Sequence, residues 1–339
     1  MSNIPKKNPF DIFYKEFLLC GKRQIITVLT EEETNKNFVE RLLEAGKIDD
    51  NKVKVFQIDK KPYTEPSNSI LMEILKADYV IELARSTVLY TKAFRRAIKC
   101  GTKFYFLPGI TEKEFINTYR SLNPEIILKT GKLILERINR AKKIFLYSPD
   151  TRKLDMTIGP KRYIPPIFKR FHYSFIRFHS GILDKMTNFT FLPAQIVFRG
   201  IRFSINGSLS FDGSIWPQKN MDILRHPVTF KVKRGSVIDI NGGDQGKTIK
   251  KVMKRRKIGD GRSVQHFSIG LNPLGKISGN MLIDERSSGV LTLGVGHSYS
   301  HFDITMSRPT IFIDDEKLLE NGEFVDSALL DLTKDLVLR

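Results

Sequence analysis

Between residues 24 and 108 the chain alternates short β-branched runs with amphipathic ones, and no other feature restricts its fold as much. QIITVLT, KVKVFQID, ADYVIEL and TKFYFLPG read as strands, and NFVERLLEAG, SNSILMEILKA and TKAFRRAIKCG between them read as helices. A helix between consecutive strands carries the chain back to the edge where it started, so the strands run parallel and the helices cover the sheet faces. Thr30 is expected to cap the first of these helices, with Glu31, Glu32 and Glu33 in its first turn and Gly46 at its end. A dinucleotide site does not fit, because no GxGxxG follows any of these strands and the loop after QIITVLT is acidic.

The stretch TEKEFINTYRSLNPEIILKTGKLILERINRAKKIFLYSP reads as one or two helices and a short strand, and after Pro149 the texture changes. KLDMTIG, FLPAQIVFRG, RFSINGSLSFDG and VTFKVKRGSVIDING are short β-rich runs, with ING and FDG as turn signals. The expected architecture is an α/β N-terminal domain over 1–148 with a mostly parallel sheet. A mostly antiparallel, barrel-like β domain carrying one basic helix follows over 149–339.

At 339 residues the chain is long enough for two cores, and 41% hydrophobic with 27% charged residues is ordinary for a globular protein. No apolar run has the length of a membrane span, so no membrane association is expected. The N-terminus lacks the apolar stretch and cleavage site of a signal peptide. Cys20 and Cys100 lie far apart and form no metal motif, which fits a reducing cytoplasm. The net charge of +19 would attract nucleic acid, anionic lipid or an anionic substrate. A charge count fixes no partner, and a solvated lysine-rich surface is the simpler reading; nucleic acid is not the favoured partner.

Two basic segments stand out. PPIFKRFHYSFIRFHSGIL interleaves Lys169, Arg170 and Arg177 with Phe168, Phe171, Tyr173, Phe175 and Phe178. It suits single-stranded nucleic acid, a lid over an aromatic substrate, a subunit contact or plain packing. KTIKKVMKRRK crowds Lys250, Lys251, Lys254, Arg255, Arg256 and Lys257 on one helix. The run before it, VIDINGGDQGKT, nearly matches a phosphate-binding loop but has Asn241 where GxxxxGK[ST] requires its first glycine.

The chemistry concentrates between Gln265 and Gly322, where His266, His297 and His301 fall. His301-Phe302-Asp303 sits at the head of a β-branched and aromatic run, so a strand is expected. Residues two apart on a strand share a face, which aims His301 and Asp303 together and Phe302 away. His266 on a neighbouring strand would complete two imidazoles and one carboxylate, the set associated with non-haem Fe(II). An ordinary hydrogen-bonded His–Asp pair remains the alternative. Glu285 reads as a partner or extra ligand of such a site, or as a surface carboxylate. His297, in the glycine-flanked loop GVGHSYS, reads as an acid or base or as a solvent-exposed histidine. No GxSxG supports a serine hydrolase.

HFSIGLNP, MLIDERSSG, SHFDIT and PTIFIDDEKLLENGEF resemble the C-terminal half of the thermophilic-type metalloaminopeptidases. They resemble more closely an offshoot of that family, the 2,5-dihydroxypyridine 5,6-dioxygenases. The resemblance is specific only between about Gly242 and Gly322. The aminopeptidases carry a Glu at the position of His266, and the dioxygenases a His followed by the pair matched here by His301 and Asp303. The resemblance therefore implies one Fe(II) held by His266, His301 and Asp303, with Zn or Co as alternatives. It implies an oxidoreductase in which a substrate with adjacent oxygens chelates the metal and both atoms of dioxygen enter the opened ring. Glu285 matches an aminopeptidase ligand, but Val290 stands nearest to where that family has a further His. The expectation is a ring-cleaving dioxygenase-like enzyme for a small hydroxylated aromatic or heteroaromatic molecule, assembled as a dimer or larger homo-oligomer. The alternatives are a metalloaminopeptidase and a non-catalytic binding protein using its basic surface.

Overall fold

The computed structural model describes residues 8–59, 64–89, 91–159, 174–216, 223–254, 261–296 and 301–334. The chain divides into two units, residues 1–124 with 179–193 and 338–339, and residues 125–178 with 194–337. No helix among the described residues is long and apolar enough to cross a membrane.

The first unit is built on β1 (Ile25–Thr30), β2 (Lys52–Gln57), β3 (Tyr79–Glu82), β4 (Lys103–Phe106) and β8 (Phe189–Phe191), ordered β2-β1-β3-β4-β8. Every pairing is parallel, as the alternation requires. Short α1 (Pro9–Ile12) precedes the crossover helices α2 (Lys36–Gly46), α3 (Asn68–Lys76) and α4 (Lys92–Lys99), and α5 (Glu112–Ser121) follows β4. Strand period two splits the aromatic residues of β4. Phe104 and Phe106 pack with Phe94, Phe189 and Phe191 on one face. Tyr105 turns to the other face, where it meets Phe13 and accepts a 3.0 Å hydrogen bond from Tyr119. The expected cap at Thr30 is corrected. Thr30 pairs with Gln57 in the ladder, and its hydroxyl donates to the Phe56 carbonyl. The sheet has therefore claimed it, and Asn35 caps α2 instead, accepting from Phe38 N at 3.0 Å.

The second unit holds α6 (Pro124–Arg140) and two antiparallel sheets. One has eight strands: β5 (Lys143–Tyr147), β6 (Lys153–Thr157), β10 (Asn206–Phe211), β12 (Val228–Lys233), β13 (Ser236–Asn241), β17 (Thr310–Ile313), β18 (Glu316–Glu320) and β19 (Glu323–Phe324). The other has six, ordered β11-β16-β15-β14-β9-β7, namely β11 (Ile215–Trp216), β16 (Phe302–Met306), β15 (Leu291–Val295), β14 (Val264–Gly270), β9 (Gln195–Arg199) and β7 (Phe175–His179). Val264 N donates to Gly235 O and Val237 N to Arg262 O, which stitches the two sheets together. Phe302 of β16 packs on Phe230 of β12 at 6.0 Å between ring centres, so this face of β16 is core. α9 (Ser327–Lys334) follows Asp326, which pairs with Arg137 of α6 at 2.7 Å.

Two local expectations resolve differently from their sequence signals, and a third holds. The boundary placed at 148/149 falls between β5 and β6, which pair with each other as a hairpin inside the second unit. The ING at 205–207 opens β10 instead of turning the chain, because Gly207 has a φ of 128° and its bare Cα lies against the Lys153 backbone. GGDQGKT does open a helix, α7 (Gly243–Lys254), but after a strand of an antiparallel sheet, which is not the setting of a phosphate-binding loop.

Candidate metal centre

Three adjacent strands build the site. The ladder pairs His266 on β14 with Gly294 on β15, and Gly294 with Asp303 on β16. Paired residues leave a sheet on the same face, so His266, Gly294 and Asp303 form one row across it. Strands about 4.8 Å apart put the outer two residues roughly 10 Å apart at the backbone. The glycine between them has no side chain, and the imidazole and the carboxylate lean over it until His266 Nε2 and Asp303 Oδ1 are 3.3 Å apart. A methyl group on Gly294 would stand 2.7 Å from His266 Nε2 and closer still to Cε1 and Nδ1. The ladder shifts register between Val264 and His266, which leaves Gln265 as the extra residue and aims His266 onto this row.

His301 enters from the lead-in to β16, and its Nε2 lies 3.2 Å from the same Oδ1 of Asp303. The His266 and His301 rings stack at 5.4 Å with 26° between their planes. One donor atom from each of the three residues falls within 4.8 Å of the others, and among the described residues no other group of three His, Cys, Asp or Glu side chains converges in this way.

The electrostatics of the cluster suit a cation. His301 Nδ1 lies 2.8 Å from the Gly296 carbonyl and can only donate to it. A neutral His301 would then present the lone pair of Nε2 to an ionised Asp303 oxygen, a repulsive contact. A proton or a metal ion between them removes the repulsion. Without metal the proton takes that place. Burial pushes His301 down, but the facing Asp303 carboxylate, the Gly296 carbonyl and the charge of Glu285 outweigh it and lift the imidazole to about 9. Burial would raise Asp303, yet the two imidazoles hold it well below the usual carboxylate range. Two imidazole nitrogens and one carboxylate oxygen, with the far nitrogen of one ring fixed by a carbonyl, fit a divalent metal with positions left open.

The other candidate residues are placed separately. Glu285 follows the helical turn α8 (Met281–Asp284); it pairs with Arg286 and stands outside the converging donors. Val290 is buried and supplies no ligand. His297 lies outside the described residues, as do Phe168 to Tyr173 of the aromatic segment and Arg255 to Lys257 of the basic one. Of the remainder, Phe175–His179 forms the outer strand β7, and Lys250 on α7 pairs with Asp239 at 2.6 Å. Gly294 was not singled out from sequence. Its signal is a glycine inside the otherwise apolar run GVLTLGV, which marks close approach of another group.

The chain matches no family model and no curated protein in sequence. Its fold is shared with proteins of known structure. It is similar to 2,5-dihydroxypyridine dioxygenase from Pseudomonas putida KT2440, with a TM-score of 0.73 and 16% identity over 97% of this chain and 99% of that chain. It is also similar to the thermophilic aminopeptidase AmpT from Thermus thermophilus, with a TM-score of 0.60 and 12% identity over 94% and 98% of the two chains. These are the two branches that the sequence phrases resemble, and at such identities the likeness shows a shared fold.

Proposed function

We propose that the protein is a mononuclear non-haem Fe(II) enzyme, an oxidoreductase of the ring-cleaving dioxygenase kind acting on a small hydroxylated aromatic or heteroaromatic molecule. The observation that carries this reading is the row His266–Gly294–Asp303 with His301 beside it, which gathers two imidazoles and one carboxylate on one point. Fe(II) held there would supply Lewis acidity toward a chelating substrate and electrons for reaction with dioxygen. The chain's own groups set the conditions. Gly296 holds His301 in the tautomer that offers Nε2, Asp303 supplies the negative charge, and Gly294 leaves room for the His266 ring. Glu285, paired with Arg286, places a second carboxylate whose charge His301 feels; we assign it to proton handling at the rim of the site.

The deciding experiment is anaerobic titration of metal-free protein with Fe(II), and separately with Zn(II) and Co(II). One tight equivalent per chain is expected, with iron supporting dioxygen consumption on dihydroxylated rings. Two tight equivalents, together with release of N-terminal residues from peptides, would overturn this reading in favour of a metalloaminopeptidase, which bridges two ions with carboxylates.

A further inference from the structure

We infer that Trp216 is the aromatic wall of this metal site and the residue that selects a planar ring as its ligand; the inference rests on the metal-centre reading above. β11 consists of Ile215 and Trp216 and ends the six-stranded sheet beside β16. The ladder pairs Ile215 with Ile304 and Trp216 with Asp303. Ile215 and Ile304 are both buried on the core face. Trp216 therefore leaves the sheet on the opposite face, the one that carries Asp303, with Cβ atoms about 4.5–5.5 Å apart as in any antiparallel pair. The row His266–Gly294–Asp303 thus continues into Trp216.

Three observations point to a ligand for this side chain. It is the single tryptophan of the chain and remains 42% exposed beside a carboxylate that is only 8% exposed. An indole is the most costly side chain to leave half in water, and no aromatic ring or cation covers its face among the described residues. Its backbone is also fixed. Gly213 N donates to Thr305 O at 3.0 Å, and Ser214 N donates to Thr305 Oγ1 at 2.6 Å, so the short strand is tied to β16 two residues beyond Asp303. An exposed, flat side chain on a tethered strand, set next to metal donors, offers its face to whatever the metal holds. A planar ring chelating through adjacent oxygens gains stacking there, while an aliphatic chelator or a peptide gains little.

Because the chain has one tryptophan, its fluorescence reports this site alone. The test uses the full-length protein loaded anaerobically with Co(II), with 4-nitrocatechol as the planar chelating probe and oxalate as the flat but ring-free one. In the wild type, 4-nitrocatechol should quench the tryptophan saturably. Trp216→Ala, followed by the absorbance of the probe, should bind 4-nitrocatechol about tenfold more weakly, the scale of one lost aromatic contact. Trp216→Phe should recover most of that loss, and neither change should alter the affinity for oxalate or for Co(II). The assignment is overturned if Trp216→Ala binds 4-nitrocatechol as tightly as the wild type with its Co(II) site intact. It is overturned equally if oxalate and 4-nitrocatechol weaken together, or if sedimentation shows that Trp216→Ala acts by breaking a subunit contact. Failure of the metal-centre reading shows itself separately, as absence of Co(II) uptake by the wild type, and takes this assignment with it.

Discussion

Replacing Gly294 with alanine tests the geometry of the site with a single methyl group. Gly294 is not among the glycines with a positive φ, so alanine's backbone preferences are met and any effect is steric. The new carbon would lie 2.7 Å from His266 Nε2 and nearer to two other ring atoms, where unstrained contacts are about 3.5–4.0 Å. The ring cannot relax toward Asp303, already 3.3 Å away, or toward the His301 ring stacked on it. It must swing out toward solvent, which removes one of three donors. Overpacking of this kind costs about 1–3 kcal/mol of stability, which leaves a two-core protein folded. Misorienting a ligand through its supporting groups costs about 10–100-fold in metal affinity, and removing the ligand should exceed the upper end of that range. The assay is anaerobic Co(II) titration followed by the visible absorption bands, with circular dichroism confirming the fold. His266→Ala should give the same loss, and the double variant should be no worse than either alone, because both changes remove the same donor. A Gly294→Ala protein with wild-type Co(II) affinity and spectrum would refute the row as the foundation of the site.

Four further outcomes are expected. His301→Ala should lose metal and activity together, and a variant with full metal content would sink its assignment as a ligand. Raising the folded-state pKa of His301 from 6.5 to about 9 means that its protonated form stabilises the metal-free protein fully below pH 6.5, and that this contribution disappears as pH rises through 9. Metal must displace that proton, so Co(II) affinity should climb over the same window by up to about tenfold per pH unit, and a flat profile would contradict it. Glu285→Gln should lower turnover while metal stoichiometry stays at one; an emptied site would instead make Glu285 a ligand. Phe13→Ala, which opens a hole among Tyr14, Tyr105, Phe115 and Tyr119, should cost roughly 3–5 kcal/mol in chemical denaturation, and a loss below about 1 kcal/mol would show that the cluster collapses.

The parallel sheet was legible because β-branched runs such as IITVLT and YVIE are bounded by helices with their own start signals. Ser67 and Thr91 cap α3 and α4 by accepting from Ile70 N and Phe94 N. Thr30 misled because a threonine at the end of a strand and one at the start of a helix look alike until the ladder is known. The pair His301 and Asp303 was visible because strand period two needs only local information. His266 could be put forward as the third ligand, but its place in the same row as Asp303 could not, since register across strands cannot be read from one sequence. Gly294 and Trp216 were missed for the same reason: their meaning lies in which residues stand opposite them.

The return of the chain to complete the first sheet has a consequence for synthesis. β8 arrives more than eighty residues after β4, and Phe189 and Phe191 supply part of the aromatic layer over Phe94 and Phe106. Until residue 191 has left the ribosome, the flank of β4 is an open edge with unpaired backbone groups and bare aromatic surface, the situation that invites mispairing. The N-terminal portion therefore cannot finish folding first and wait, as a contiguous domain would. The nascent chain must keep that edge from other partners while the first segment of the second unit, residues 125–178, is being made. A protein cut after residue 148 would carry the same exposed edge permanently, so expression as separate halves should fail where the intact chain succeeds.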